Sequence, residues 1–208
     1  MKKSDNKGLR SEILRATREL LVKEGFPSLS MRKIATEIGC KAPSIYYYFE
    51  NKAALVQALI DEGHQHLYEH MAEAVAPYEN PLDRIEAYMR AFISFGLENA
   101  EYYEIMFLLP IEGETCDPKT SFRVARRSQD LSITAFEECV GRGWIKPDNF
   151  VLATGSIGIS LHGYLALALN HQKDPPFDKQ RMLDYIIDKI FLSHGIGGTP
   201  YEREPLKA

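Results

Sequence analysis

The densest run of side chains with chemistry to offer lies between Ser30 and Lys52, SMRKIATEIGCKAPSIYYYFENK. It interleaves the cations Arg32, Lys41 and Lys52 with the hydroxyls of Ser30 and Ser44 and the phenols of Tyr46, Tyr47 and Tyr48. These groups suit nucleic acid. A guanidinium takes a guanine edge bidentately or a phosphate, while ammonium, phenol and serine hydroxyl groups hold phosphate oxygens. Both options stand for Arg32. Ala42, Pro43 and Ser44 are compact enough to bring a helix close to base edges or thymine methyl groups.

Two short helices joined by a tight turn must carry these residues. Ser30 caps the first by accepting a backbone N–H, and Ile34, Ala35 and Ile38 then form one apolar face. Gly39 stands where that helix stops. Pro43 falls in the first turn of the second helix, where its missing N–H costs nothing. Ile45 and Phe49, spaced i, i+4, are its buried pair, leaving Ser44 and the three tyrosines to divide between packing and solvent. The result reads as a helix-turn-helix whose second helix enters a DNA major groove.

From Leu9 to Leu55 the chain resembles the N-terminal domain of the tetracycline-repressor (TetR) family of bacterial transcriptional regulators. The matching elements are ILRATRELLVKEG, LSMRKIATEIG, the recognition-helix core PSIYYYF and NKAAL opening the next helix. About the first quarter of the chain is covered closely, and the remainder matches in general helical layout. The resemblance implies phosphate contacts for Tyr46 and Lys52 and a DNA contact for Tyr47. Lys41 departs from the short capping residue common in the family, which leaves the N-cap open and suggests an added phosphate contact. Tyr48 is open between a phosphate contact and a surface aromatic.

Composition fits this division of labour. The net charge of −4 would by itself argue against nucleic acid, but residues 1–52 hold 11 Lys/Arg and 6 Asp/Glu, and residues 53–208 hold 14 and 23. A basic module joined to an acidic body is expected of a DNA reader with a separate second domain. The expected organisation is a DNA-binding domain over 1–54 (ordered from about 9), a ligand-binding and dimerisation domain over 55–194, and a disordered tail over 195–208. MKKSDNKG lacks the apolar core of a secretion signal, and no span of a membrane is expected. Cys40, Cys116 and Cys139 have no zinc-like spacing and suit a reducing cytoplasm.

The chain reads as all-α, with no strand-type alternation. Expected helices run Leu9–Glu24, from Lys52 or Ala53 to Ala76, Leu82–Glu98, Ala100–Leu109, Lys119–Gly141, Pro147–His171 and Phe177–His194, with a loop from Pro110 to Pro118.

The body carries no comparable motif, and its large apolar residues read first as helix-bundle core. Phe92, Phe95, Tyr103, Met106, Phe107 and Phe122, with His162 as a polar handle, also suit an apolar pocket. The family resemblance implies such a pocket for a small, largely hydrophobic effector. His162 and Gly163 look like one subgroup of TetR-type C-terminal domains; His162 is open between pocket, packing and interface roles. The helix rich in small residues around Gly155, Gly158 and Gly163 offers Ile157, Leu161, Tyr164 and Leu165, and the last helix offers Leu183, Ile186, Ile187 and Ile190. Together they suit a self-complementary four-helix dimer interface, or packing within one subunit.

Other classes find weaker support. His66 and His70 stand at i, i+4 near His64, Glu62, Glu69 and Glu73, but without an HExxH pattern or an evident third metal ligand. No nucleophile elbow, catalytic triad, phosphate loop or dinucleotide fingerprint occurs, so neither catalysis nor a cofactor is expected. The expected function is a homodimeric, ligand-responsive repressor on a palindromic operator. The alternatives are a non-sensing architectural DNA-binding protein and, less favoured, a metal-responsive regulator.

Overall fold

Ser30, Gly25 and Gly39 set the frame of the N-terminal helices. Helix α1 (Asp5–Ser28) is interrupted at Gly25, whose φ of 76° is open to glycine at little cost. The bend lets Phe26 and Leu29 turn inward. Ser30 Oγ accepts from the Lys33 amide at 3.2 Å and starts α2 (Met31–Glu37). Gly39, at φ 67°, ends that turn and leads into α3 (Ala42–Tyr46), with Pro43 in its first turn.

In this computed structural model, the described residues are 5–109, 118–145, 150–169 and 178–193. Their regular structure is all helical, with no strand among them. The remaining helices are α4 (Lys52–Val75), α5 (Pro81–Glu98), α6 (Ala100–Phe107), α7 (Pro118–Gly141), α8 (Phe150–Ala168) and α9 (Lys179–Ser193). Helix α1 begins four residues before the expected Leu9, and α6 ends two residues before Leu109. The tail from Gly195, most of the Pro110–Pro118 stretch, the ends of the expected Pro147–His171 helix, and Cys116 lie outside the described residues.

The chain divides into two compact units. The first comprises residues 1–70 and 98–128. Its core gathers Ile13, Leu14, Leu20 and Leu21 from α1, Ile34 from α2, Ile45 from α3, Phe49, and Leu55 and Leu59 from α4. Helix α6 packs on α1, where Arg18 Nε donates to Glu101 at 2.9 Å and its guanidinium lies 4.6 Å from the Tyr102 ring centroid. The Tyr102 hydroxyl donates to Glu62 of α4 at 2.9 Å. A Cβ at Gly63 would lie 2.5 Å from Met106 Sδ, so glycine is what allows α4 and α6 this approach.

The second unit comprises residues 71–97 and 129–208. Helix α5 is buried on nearly every side through Leu82, Ile85, Met89, Phe92, Ile93 and Phe95. Ala135, Phe136 and Cys139 of α7, Ile157 and Leu161 of α8, and Ile187 and Phe191 of α9 complete its core. Gly96 brings α5 against α8, where a Cβ would meet Leu165 at 2.6 Å. Arg84 pairs with Glu138, and Arg90 links Glu86 to Asp184 of α9 at 2.9 and 2.8 Å. The Tyr164 hydroxyl donates to the Lys179 carbonyl at 3.0 Å, joining α8 to α9.

One helix bears on the expectation that no segment spans a membrane without overturning it, and one helix boundary needs adjustment. By length and composition alone α8 is apolar enough to cross a membrane, with a mean hydropathy of 1.5, although Gly, Ser, Thr and His interrupt its apolar residues. Helix α1 does not stop at the expected Glu24, since Phe26–Ser28 continue as a helical turn beyond the kink at Gly25.

Candidate functional site

The turn between α2 and α3 and the whole of α3 set the predicted DNA-facing residues on the first unit. Buried Ile45 anchors α3, and Phe49, just beyond it, is 5% exposed. Opposite that anchor, Tyr46 is 53% and Tyr47 75% exposed, beyond what packing of an aromatic ring explains. Tyr48 is half-buried, and its ring meets Tyr47 edge-on with centroids 5.1 Å apart. Lys41 and Pro43 are exposed, and Ala42 and Ser44 half-buried. Lys41 occupies the N-cap of α3 with no side-chain capping bond, which leaves its ammonium unused by the cap.

On α2, Ser30 is exposed and spends its hydroxyl on the helix cap. Arg32 is exposed one residue into the helix. Lys33 beside it is tied to Glu24 of α1. Arg32 is therefore the cation of α2 free of any ion pair within the described residues.

Lys52 is differently placed from the other candidates. Its Nζ donates to the Phe26 carbonyl at 3.1 Å and sits 4.0 Å from the Phe26 ring centroid. The ammonium thus clamps the start of α4 to the kinked end of α1. It has three donors, so two remain for a phosphate. Asn51 Oδ1 accepts from the Ala54 amide at 2.8 Å and caps α4. Sequence reading missed Arg10, whose guanidinium lies 5.4 Å from the Phe49 ring centroid, bringing a cation of α1 near the end of α3. A separation of 39 residues hides this pair from any local pattern.

The residues expected to line an effector pocket fall in two groups. Tyr103, Met106 and Phe107 belong to the first unit; the Tyr103 and Phe107 rings are 5.2 Å apart. Burial pushes the Tyr103 phenol up to about 12, so it stays a neutral hydroxyl. Phe92, Phe95 and His162 belong to the second, where the His162 ring meets Phe92 edge-on at 5.1 Å. Burial holds the His162 imidazole below its ordinary value. The side chain of Phe122 lies outside the described residues.

Of the residues expected at a dimer interface, Ile157, Leu161, Tyr164, Leu165, Leu183, Ile187 and Ile190 are buried within their own unit, and Ile186 is half-buried. The apolar residues left exposed on the same helices are Val151, Leu152, Ile159 and Leu167 of α8 and Tyr185 and Leu192 of α9. Among the described residues no Cβ contact would arise at Gly155, Gly158 or Gly163, which border this outward face. Among the described residues no group of three or more His, Cys, Asp or Glu gathers as a metal site. The His66 ring instead lies edge-on to Tyr102 at 5.4 Å. Burial pushes the Cys139 thiol up to about 11, which leaves it unreactive.

A three-helix module with a capped α2, a glycine turn and a short α3 crowned by exposed phenols defines the class as helix-turn-helix DNA-binding protein. The model of the N-terminal domain of bacterial regulatory proteins of the tetR family matches residues 13–59. That of the tetracyclin repressor-like C-terminal domain matches residues 85–190, half of the chain. The chain belongs to the TetR family of DNA-binding transcriptional regulators.

Among curated relatives, the chain is 38% identical over 58 residues to the class A tetracycline repressor of transposon 1721 from Escherichia coli, covering 26% of this chain and 27% of that protein. It is 35% identical over 72 residues to the regulator TtgR of Pseudomonas putida, covering 35% of this chain and 34% of the relative. The chain thus spans about a third or less of the length of these two relatives. A longer match, 22% identical over 181 residues, covers 87% of the chain and 89% of the uncharacterized regulator YobS of Bacillus subtilis. Bacillus subtilis FadR, solved in complex with stearoyl-CoA, shares the fold with a TM-score of 0.74 at 19% identity, covering 89% of this chain and 98% of that one. PfmR of Thermus thermophilus does so with a TM-score of 0.70 at 17% identity, covering 86% and 96%.

Proposed function

We propose that this protein is a homodimeric repressor that leaves a palindromic operator when a small, largely hydrophobic molecule binds its C-terminal part. Residues 1–54 would read DNA and residues 55–194 would bind effector and partner, in the cytoplasm. The observation that carries the reading is the exposure of Tyr46 and Tyr47 on an α3 anchored by Ile45. Arg32 then reads a base edge, Ala42, Pro43 and Ser44 approach the bases, and Lys41, Tyr46, Tyr48 and Lys52 hold phosphates, with Ser30 framing α2.

The outward stripe of α8 and α9 supports dimerisation. Only 28% of the most apolar window of α8 is buried in one chain, too little for a core helix. A second copy is the simplest cover, and two reading heads match two half-sites one helical turn apart. Release follows as a population shift, in which effector favours a spacing of the heads that no longer fits successive grooves. A coupling of about 1–3 kcal/mol changes operator affinity several-fold to a hundredfold.

The test is selection of bound fragments from genomic and random DNA with purified protein, read by sequencing. Enrichment of one palindrome is the expected result. Salt-sensitive binding with no enriched sequence would sink operator recognition in favour of a general DNA binder.

A further inference from the structure

Helix α4 carries a partly buried polar face that DNA reading leaves unused. Gln57, Asp61 and His64 follow one another at i, i+4 and i+7 and so share one side of the helix. Gln57 Nε2 donates to Asp61 Oδ1 at 2.7 Å. A carboxylate only accepts, so this bond fixes the amide's orientation and leaves Oε1 as the outstanding atom. Oε1 is buried and has no hydrogen-bond partner among the described residues. The same holds for Nδ1 of His64, a residue only 7% exposed. Buried polar atoms are nearly always satisfied, so two orphans on one helix face call for an occupant.

The surroundings describe that occupant. The His64 ring meets Phe107 of α6 edge-on at 5.7 Å, and Phe107 lies against Tyr103. Met106 reaches over Gly63, and a thioether side chain can swing aside for a guest more readily than a ring. Burial holds the His64 imidazole below its ordinary value, against the opposing pull of Asp61, so it is neutral near pH 7. In the tautomer with Nε2 protonated, Nδ1 accepts. An amide oxygen, a carboxylate and an imidazole nitrogen are then all acceptors, beside apolar and aromatic walls.

We propose that the Gln57–Asp61–His64 face of α4, with Met106 and Phe107 of α6, binds an apolar molecule that donates hydrogen bonds and carries no negative charge. The proposal rests on the ligand-responsive reading above and gives its effector a chemical class. Each orphan acceptor takes its own O–H or N–H, since seven residues of helix set Gln57 and His64 about 10 Å apart along α4. A carboxylate or phosphate would be repelled by the charge of Asp61 as it loses its water.

Three probes of one shape separate the possibilities: 2-naphthol, 2-methoxynaphthalene and 2-naphthoate, titrated calorimetrically into the full-length protein, its His64→Phe variant and its Gln57→Leu variant. The expected result is binding of the naphthol about tenfold tighter than the methyl ether, the worth of about one good hydrogen bond. Its one hydroxyl donates to one acceptor, so that preference should collapse in one of the two variants while affinity for the ether is kept in both. On the unmodified protein, naphthol should also move the 15N resonance of His64 Nδ1, which keeps the test decisive if a variant does not fold. Naphthoate binding as tightly as naphthol, a donor preference that survives both substitutions, or no naphthol binding would each overturn the proposal and leave ordered water as the occupant. Operator retention is read in parallel with the selected palindrome. Donor-dependent binding without operator release would uphold the site and defeat the release reading. Release by naphthoate without donor preference would do the reverse.

Discussion

Ser30 is exposed, yet it decides where α2 begins, because its hydroxyl takes the Lys33 amide. Ser30→Ala should lower stability by about 1 kcal/mol, measured by urea denaturation, as expected for a lost N-cap. Arg32 and Lys52 make a sharper pair. Arg32→Ala should relax sequence preference at one base position by about 1–3 kcal/mol of discrimination, measured by competition between operator variants. Lys52→Met should weaken all sequences alike, reduce the salt slope by about one, and also lower the melting temperature, because the Phe26 carbonyl loses its donor. Uniform losses from both substitutions would remove the base-reading role of Arg32. The cap, the glycine turn and the buried Ile45 were legible in the sequence because each depends on neighbours within a few residues. The inward tie of Lys52 was not, since its partner stands 26 residues upstream. No local pattern encodes where a flexible four-carbon stem comes to rest.

Helices announce themselves by period, and here the period found each of those described. Where it fell short was in choosing a face. Helix α8 is apolar nearly all round, so its spacing cannot say whether Leu161 or Ile159 points inward. The fold turns Leu161 in and leaves Ile159 77% exposed. Gly96 shows the opposite case, where an ordinary-looking residue in α5 marks a close approach of two helices. Gly96→Ala should cost about 1–3 kcal/mol by overpacking against Leu165, measured by chemical denaturation. An unchanged midpoint would mean that Leu165 swings aside freely. The candidate pocket aromatics were legible as large and apolar, but the orphan acceptors of α4 were not. A glutamine and a histidine on a charged-looking helix read as surface until their neighbours are known.

Charge divided between the ends of the chain was visible from composition, and it matches the family's separation of DNA reading from a second helical domain. Two further properties belong to the molecule as a whole. His64 and His162 are both held by burial below the ordinary 6.5. Below that pH the unfolded chain binds protons that the folded chain refuses, so stability should fall as pH drops from about 6.5 toward the folded-state values, and be flat for these groups above it. Melting temperatures measured from alkaline into mildly acidic buffer check this, and His64→Phe should flatten the slope. Association is the second property. Ile159→Glu should yield a folded monomer by sedimentation, with operator affinity falling at least about a hundredfold as the second head is lost. A variant that remains dimeric would move the interface elsewhere.

A Cβ added at Gly155, Gly158 or Gly163 would meet nothing within 4 Å among the described residues beyond its own helix backbone. A side chain added at any of them would be almost silent for the fold of one copy and felt chiefly by whatever lies across from it. After a gene duplication, such changes would let two sibling regulators stop exchanging subunits while each kept its shape, its DNA-reading helix and its sensor. Insulation between paralogues would then be a matter of three small positions on a single helix.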